Sequence, residues 1–254
     1  MSKKLNFSLL KKDSIIKVII DNIKSLAIAL IIALIIRSIL IQAFVIPSGS
    51  MKPTLLEGDY IFVTKYNYGY SKHSFPLSLP ILSGRIFYSE PKRGDVIVFK
   101  YPGDNSTDYI KRLIGLPGDK IQLINGDVYV NDILVVSEKI DESVPNSQYD
   151  ISTYKETMKF DSQTEKTYNT WRLKSGLYKV DYISPFYVPK DSFFVMGDNR
   201  HFSKDSRYLD VGFIPKDNLV GKAQIIFFSI NGSFLEFWKW FTEIRFERIF
   251  KPIR

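Results

Sequence analysis

The chain has 254 residues, 45% of them hydrophobic, enough for one sizeable core with a small annex and so for one or two domains. It has no cysteine and only two histidines, which excludes disulfides, thiolate metal sites and a cysteine nucleophile and argues against a multi-histidine metal centre. Its 35 basic and 27 acidic side chains leave a net charge of +8, a balance that suits nucleic acid or an anionic membrane surface. Membrane is the better reading, because many basic residues flank apolar or aromatic segments: Lys3, Lys4, Lys11, Lys12 and Lys17 at the front, Lys239, Arg245, Arg248, Lys251 and Arg254 at the back. With no nucleic-acid-binding signature or zinc-finger spacing, no nucleic-acid partner is expected.

In chain order, a basic N-terminus (1–24) precedes an apolar stretch, Ser25 to Ile46, interrupted only by Arg37. At ~1.5 Å per residue this stretch reaches about 30 Å, enough to span a bilayer as a single anchor. Arg37 is tolerated if it snorkels toward the outer headgroups. A cleavable secretory signal is the bland alternative, and its only small-x-small site, Ser48-Gly49-Ser50, lies far downstream behind Pro47. A buried core helix is a further one. The lysine-rich front puts the N-terminus in the cytoplasm and the body outside.

Beyond the anchor the chain reads as short strands between turns: Tyr60–Val63, Asp95–Phe99, Tyr109–Ile114, Lys120–Leu123, Val128–Val130, Ser192–Met196 and Ala223–Ser229. Asn125-Gly126-Asp127 marks a hairpin. The predicted fold is mostly β: an antiparallel β domain from 47–136 and 183–254, preceded by one transmembrane helix. Residues 66–91 are a long excursion rich in Tyr, Ser, Pro and Gly, and 137–182 is an inserted small β subdomain outside the main core. The aromatic run Phe234 to Phe241 suits either core packing or the membrane interface.

An amide hydrolase of this composition still needs a nucleophile and a base. Ser50, in the turn Pro47-Ser48-Gly49-Ser50-Met51, and Lys111, in Asp108-Tyr109-Ile110-Lys111-Arg112, supply them. Strand alternation puts Tyr109, Lys111 and Leu113 on one face and Ile110, Arg112 and Ile114 on the other. A lysine facing apolar neighbours loses solvation, its pKa falls and it becomes a base. Taken singly, Ser50 is equally a plain turn serine and Lys111 a solvated strand lysine. His201, next to the third polar segment Gly197-Asp198-Asn199-Arg200, leaves a Ser-His-Asp arrangement to be weighed.

The turn at Ser50, the segment 108–119 and the run Gly197 to Arg207, in this order, resemble bacterial type I signal peptidase, a Ser/Lys-dyad family. The resemblance implies a membrane-bound serine endopeptidase removing N-terminal signal peptides from exported preproteins, with Ser50 as nucleophile and Lys111 as general base. It implies that the Ser48 hydroxyl and the Ser50 N–H stabilise the oxyanion, that Ser203 orients the Lys111 ammonium, that Asp205 pairs with Arg207, and that Asp198 bridges to Arg112. Phe44, Ile46, Met51, Leu55, Ile61, Val98 and Tyr109 would line shallow pockets for alanine-sized side chains; Ile110 belongs with them less firmly, since alternation turns it away from Lys111. Without the resemblance these apolar positions read as core. The chain departs from the family's box at His201-Phe202, where polar residues are common. The implied setting is a monomer in the cytoplasmic membrane with its catalytic domain on the outer face, acting on signal-peptide-bearing preproteins and needing no cofactor or metal. Alternatives are a self-cleaving repressor-type Ser/Lys peptidase and a membrane-tethered β domain that binds extended peptides without cutting them.

Overall fold

The computed structural model describes residues 3–141, 149–159, 165–174, 181–232 and 240–254, with the backbone alone at 3–14, 183 and 241. Most of the run from Phe234 to Phe241 and parts of 137–182 lie outside the described residues. Helix α1 spans Lys3–Ile39. Its stretch Ile15–Ile39 is apolar and long enough to cross a membrane, with a mean hydropathy of 2.3. Side chains such as Ile23 and Leu26 stand exposed, so this is not a core helix.

The apolar stretch expected to run as one segment to Ile46 is divided. After Ile39 the chain turns at Leu40 and becomes strand β1, Ile41–Val45, paired antiparallel with β2, Asp59–Thr64, with Phe44 opposite Ile61. The strands then follow as β3 Val96–Lys100, β4 Asp108–Gly115, β5 Lys120–Ile124, β6 Asp127–Val130, β7 Ile133–Leu134, β8 Val136–Asp141, β9 Ile151–Lys159, β10 Glu165–Leu173, β11 Ile183–Tyr187, β12 Ser192–Met196, β13 Ile214–Pro215, β14 Leu219–Ser229 and β15 Lys251–Pro252. The mostly β fold with one N-terminal apolar helix is as expected. The β5–β6 hairpin closes through Asn125 and Gly126, both at positive φ (53° and 80°), as a two-residue turn of that handedness requires.

The main sheet runs β1-β2-β14-β3-β4-β12-β13, with β15 on β14. Its middle strands are covered on both faces. Val96 and Val98 pack with Ile46, Met51, Leu55, Ile61 and Ala223, whereas Ile97 and Phe99 pack with Leu113, Phe193, Val195 and Leu219. Alternation therefore divides β3 between two cores instead of between core and solvent.

Two expectations are corrected by packing. The 137–182 insert does form its own three-stranded sheet, β10-β9-β8, yet Met158 and Tyr168 fill a third cluster with Ile114, Ile121, Phe194 and Met196, so it shares the body's core. Arg248, read as part of a basic membrane-facing tail, is buried and donates to both carboxylate oxygens of Asp59, at 2.9 and 2.5 Å. A buried carboxylate needs a paired cation, and Asp59 draws Arg248 into the interior from the surface where it was expected.

Candidate active site

Ser50 sits in a single 3-10 turn, Gly49–Met51, entered from Ser48 in extended conformation. The turn is pinned from beneath by fully buried Met51 and Leu55, which the Leu55 N–H to Met51 carbonyl bond ties together at 2.9 Å. Ser50 itself is half-buried and Ser48 exposed. Ser50 N–H belongs to the first N–H groups of the turn, which have no partner within it.

Lys111 lies on β4 opposite Ile97. Its Nζ is 2.8 Å from Ser50 Oγ and donates to the Ile110 carbonyl at 2.8 Å. Only 5% of the residue is exposed. Burial pushes its pKa down to about 8; Asp205 and Asp198 pull it partly back and Arg207 lowers it further. Both acids are held by arginines instead of by the lysine. Asp198 takes two bonds from Arg112, Nε at 2.7 Å and Nη2 at 2.6 Å, with both side chains fully buried. Asp205 takes Arg207 Nε at 2.8 Å and Nη2 at 2.9 Å, plus the Gly197 N–H at 2.9 Å. Burial alone would raise the Asp205 pKa, but Arg207 overrides it and holds the carboxyl below its ordinary range.

The segment from Gly197 to Arg207 reaches the Ser50 turn through Asn199. Asn199 N–H donates to the Ser50 carbonyl and Asn199 Nδ2 to the Gly49 carbonyl, each at 3.1 Å. A Cβ at Gly197 would lie 2.2 Å from Ser203 Oγ and 2.5 Å from the Ser50 carbonyl, so only glycine permits this approach. Ser203, expected to hold the Lys111 ammonium, does not bond it in this structure. Its buried Oγ acts instead on Asp205, whose carboxyl pKa it helps to lower, while Lys111 Nζ is engaged by Ser50 and the Ile110 carbonyl.

His201 is turned away from the serine, toward the insert. Its Nδ1 accepts the Leu173 N–H at 3.1 Å and its Nε2 faces Asp181 Oδ1 at 3.0 Å, so both ring nitrogens are occupied. The rest of the insert grips the same loop. Trp171 bridges to Asn199 in parallel, through Trp171 N–H to the Asp198 carbonyl and Arg200 N–H to the Trp171 carbonyl, both 2.9 Å. Buried Glu156 accepts from Arg200 at 2.6 Å and Arg172 at 2.9 Å, and the Tyr168 ring lies 3.8 Å from the Arg112 guanidinium.

Of the apolar positions, Phe44, Ile46, Met51, Leu55, Ile61, Val98 and Ile110 share one cluster. Tyr109 does not; it stacks on Tyr101 at 5.0 Å in the cluster on the opposite face. Ile110, which alternation set apart from Lys111, is thus with the group and Tyr109 outside it, and Lys111 Nζ meets the carbonyl of its neighbour Ile110 as well as the serine. Sequence reasoning missed Thr54, whose hydroxyl donates to Asp198, and the insert residues Glu156 and Tyr168. No spacing signal marks Glu156 or Tyr168; Thr54 lay within the quoted run from Pro47 to Thr54, as Asn199 lay within its own, without a role being read for either. Among the described residues no three His, Asp or Glu side chains gather as a metal site.

The family model described as signal peptidase, peptidase S26, matches residues 19–228. The chain is 40% identical to signal peptidase I of Rickettsia typhi, over 93% of this chain and 95% of that one. It is 41% identical to signal peptidase I of Rickettsia rickettsii, over 90% and 91%. A crystal structure of a signal peptidase I from Enterococcus faecalis, 26% identical, covers 53% of this chain and 97% of its own at a TM-score of 0.32, too low a superposition to bear on the fold. With 210 consecutive positions, 19 to 228, under one family model and two-fifths of its residues shared with full-length relatives, the chain belongs to the signal peptidase family, peptidase S26.

Proposed function

We propose that this signal peptidase cuts exported preproteins by a Ser50/Lys111 dyad, while anchored by α1 in the cytoplasmic membrane with its catalytic body on the outer face. Neutral Lys111 accepts the Ser50 hydroxyl proton as Oγ attacks the scissile carbonyl carbon. The oxyanion that forms is met by the Ser50 N–H and the Ser48 hydroxyl, and such a donor is typically worth ~10² to 10³ in rate. The Lys111 ammonium then protonates the leaving amine as the C–N bond breaks, releasing the mature chain and leaving an acyl-enzyme. Lys111 next deprotonates a water, which hydrolyses the ester and frees the signal peptide.

The observation that carries this reading is the 2.8 Å contact between a desolvated Lys111 Nζ and Ser50 Oγ. A peptide-binding domain without chemistry has no use for that pair. Arg112–Asp198 and Arg207–Asp205 hold the acids away from Lys111, and Ser203 and Asn199 lie along the loop that meets the serine. The apolar cluster from Phe44 to Ile110 would receive small side chains one and three residues before the cut, through its half-buried members Phe44 and Ile110. The lysines before α1 favour a cytoplasmic N-terminus.

The test is the purified full chain in vesicles against a precursor whose signal ends in Ala-x-Ala. Cleavage after the second alanine is expected, and Ser50→Ala should bind the precursor and leave it uncut, with its thermal midpoint preserved. Normal processing by that variant removes the serine mechanism. External protease on spheroplasts should digest the region beyond Ile46; full protection of that body reverses the orientation.

A further inference from the structure

Three pieces of chain that are far apart in sequence meet at one half-buried side chain, that of Thr54. Thr54 follows Ser50 by four residues, in the turn that runs from it to buried Leu55. Its hydroxyl donates to Asp198 Oδ2, on the loop that follows β12, and lies 3.3 Å from Arg112 Nη2, on β4 beside Lys111. A threonine hydroxyl has one proton to give and can also accept, so both kinds of bond are in use here. None of the three residues takes part in the reaction steps at Ser50 and Lys111.

Both ends of this contact are held still. On the side of the base, Arg112 is fully buried and its guanidinium is bonded all round: Nε and Nη2 to Asp198 at 2.7 and 2.6 Å, Nη1 to the Gly94 carbonyl at 2.7 Å, and Nη2 to the Arg254 carbonyl at 3.0 Å. A planar fork with that many partners is fixed in one orientation. On the side of the nucleophile, Arg248 Nη2 donates to the Thr54 carbonyl at 3.0 Å while Asp59 holds the same arginine by two bonds. Threonine is β-branched, which stiffens χ1, so a fixed backbone also fixes where the hydroxyl points.

What this contact governs is the direction of Ser50 more than its distance. The 2.8 Å contact between Lys111 Nζ and Ser50 Oγ is a single point at the end of a long side chain, and the turn can pivot about one point. Asn199 adds bonds to the Gly49 and Ser50 carbonyls, both within the turn itself. Thr54 adds a tie four residues further on, to Arg112, the strand neighbour of the base, and to its partner Asp198. A reacting pair works when it is held within about 0.5 Å and ~10–20° of its productive geometry. Ties to two successive residues of β4 set that angle, where one tie leaves it open.

We propose that Thr54 is a positioning residue for the cleavage reaction: its hydroxyl locks the serine-bearing segment to the Arg112–Asp198 pair and so holds Ser50 Oγ in line with Lys111 Nζ. This rests on the Ser50/Lys111 reading of the site. Thr54 touches neither the scissile bond nor the proton in transfer. Its loss therefore costs turnover and leaves precursor binding and the proton affinity of Lys111 in place, because the charge on Asp198 stays paired with Arg112.

The test measures cleavage of the Ala-x-Ala precursor by the full chain in vesicles for Thr54→Val, Thr54→Ser, Asp198→Asn, the double variant Thr54→Val/Asp198→Asn, and Ser50→Ala. Thr54→Val keeps the shape and loses the hydroxyl. Its kcat should fall about 10- to 100-fold, the scale of a misplacement of ~1 Å, with KM within about twofold and the midpoint of the pH profile unmoved. Thr54→Ser should recover most of the loss. In the Asp198→Asn background Thr54→Val should cost less than about twofold more, since residues that act through one another are not additive. Unchanged kcat in Thr54→Val, with the precursor left uncut by Ser50→Ala, overturns the positioning role and leaves the dyad standing. Normal cutting by Ser50→Ala overturns the dyad and the lock with it. A loss of kcat that returns on cooling below a lowered thermal midpoint marks a stability effect alone, a moved pH midpoint marks an effect on the proton affinity of Lys111, and equal losses with and without Asp198 mark another route; each overturns the proposal. Should Asp198→Asn fail to fold, the serine variant decides: a Thr54→Ser as slow as Thr54→Val overturns the role of the hydroxyl.

Discussion

Two lysines in this molecule are both stripped of water and meet different partners. Lys111 and Lys65 are both buried, and burial is the main cause that takes each pKa down to about 8. Lys65 Nζ donates to the Ser74 carbonyl, with Arg37 and Lys100 lowering its pKa further against Asp108. A serine is close to it as well, but the Ser74 hydroxyl is fully buried and accepts the Ser71 N–H as part of a cap. Lys111 meets the Ser50 hydroxyl, on a half-exposed turn. Desolvation makes a lysine available as a base; only a hydroxyl with a proton to give and space for a carbonyl carbon makes it a catalyst.

The comparison breaks first at Lys111. Lys111→Met, close in shape but unable to take a proton, should lower kcat/KM by about 10³-fold or more, as losses within a catalytic pair do. The parent's kcat/KM should fall roughly tenfold per pH unit below the pKa of about 8 and level off above it. A rise centred near the ordinary imidazole range, ~6.5, would transfer the role to His201.

A second change leaves both lysines in place and alters the support of the serine turn. Glu156→Gln removes the charge that holds Arg200 and Arg172, and should lower kcat on the order of tenfold with the midpoint of the pH profile unmoved. The Glu156 pKa is down at about 2, burial being outweighed by the two arginines, against an ordinary value of 4.5. Its stabilising contribution is therefore present above about 4.5 and lost as pH falls toward 2, and the variant should lose that part of the acid dependence in a denaturation series.

Lys65→Met should leave kcat/KM within about threefold and the pH profile in place, because its neighbour is a carbonyl. Its signature is in stability. A lysine at about 8 when folded and 10.5 when unfolded binds fewer protons in the folded state between those values, so stability rises with pH across that window. The rise should shrink in Lys65→Met, measured by chemical denaturation at pH 8 and 10. An unchanged slope would mean that Lys65 is not desolvated as drawn. The smallest catalytic effect belongs to His201→Ala. Stability should drop by ~1–3 kcal/mol as the Leu173 N–H loses its acceptor, with activity per folded molecule nearly intact.

The hairpin at Asn125-Gly126, the turn at Ser50 and the apolar setting of Lys111 were legible in the sequence because each depends on residues within a few positions of one another. Local chemistry decides them: which residues accept positive φ, which side chains share a strand face, which polar residue stands among apolar ones. The division of the apolar stretch was not legible. Residues 41–45 are as apolar as the helix before them, and pairing of Phe44 with Ile61 and Val45 with Tyr60 makes them a strand. Alternation along β4 could not tell Ile110 from Tyr109, because both faces of the strand are covered and each side chain joins a different cluster. The insert's grip on the loop from Asp198 to His201, and the pairing of Arg248 with Asp59 across 189 positions, were beyond any window of sequence. Sequence alone marked Ser50 and Lys111 as candidates for the chemistry; tertiary structure brought them together and left Lys65 against a carbonyl, because burial lowers a pKa wherever it occurs, while a hydroxyl 2.8 Å away is set by the meeting of chain segments 61 residues apart.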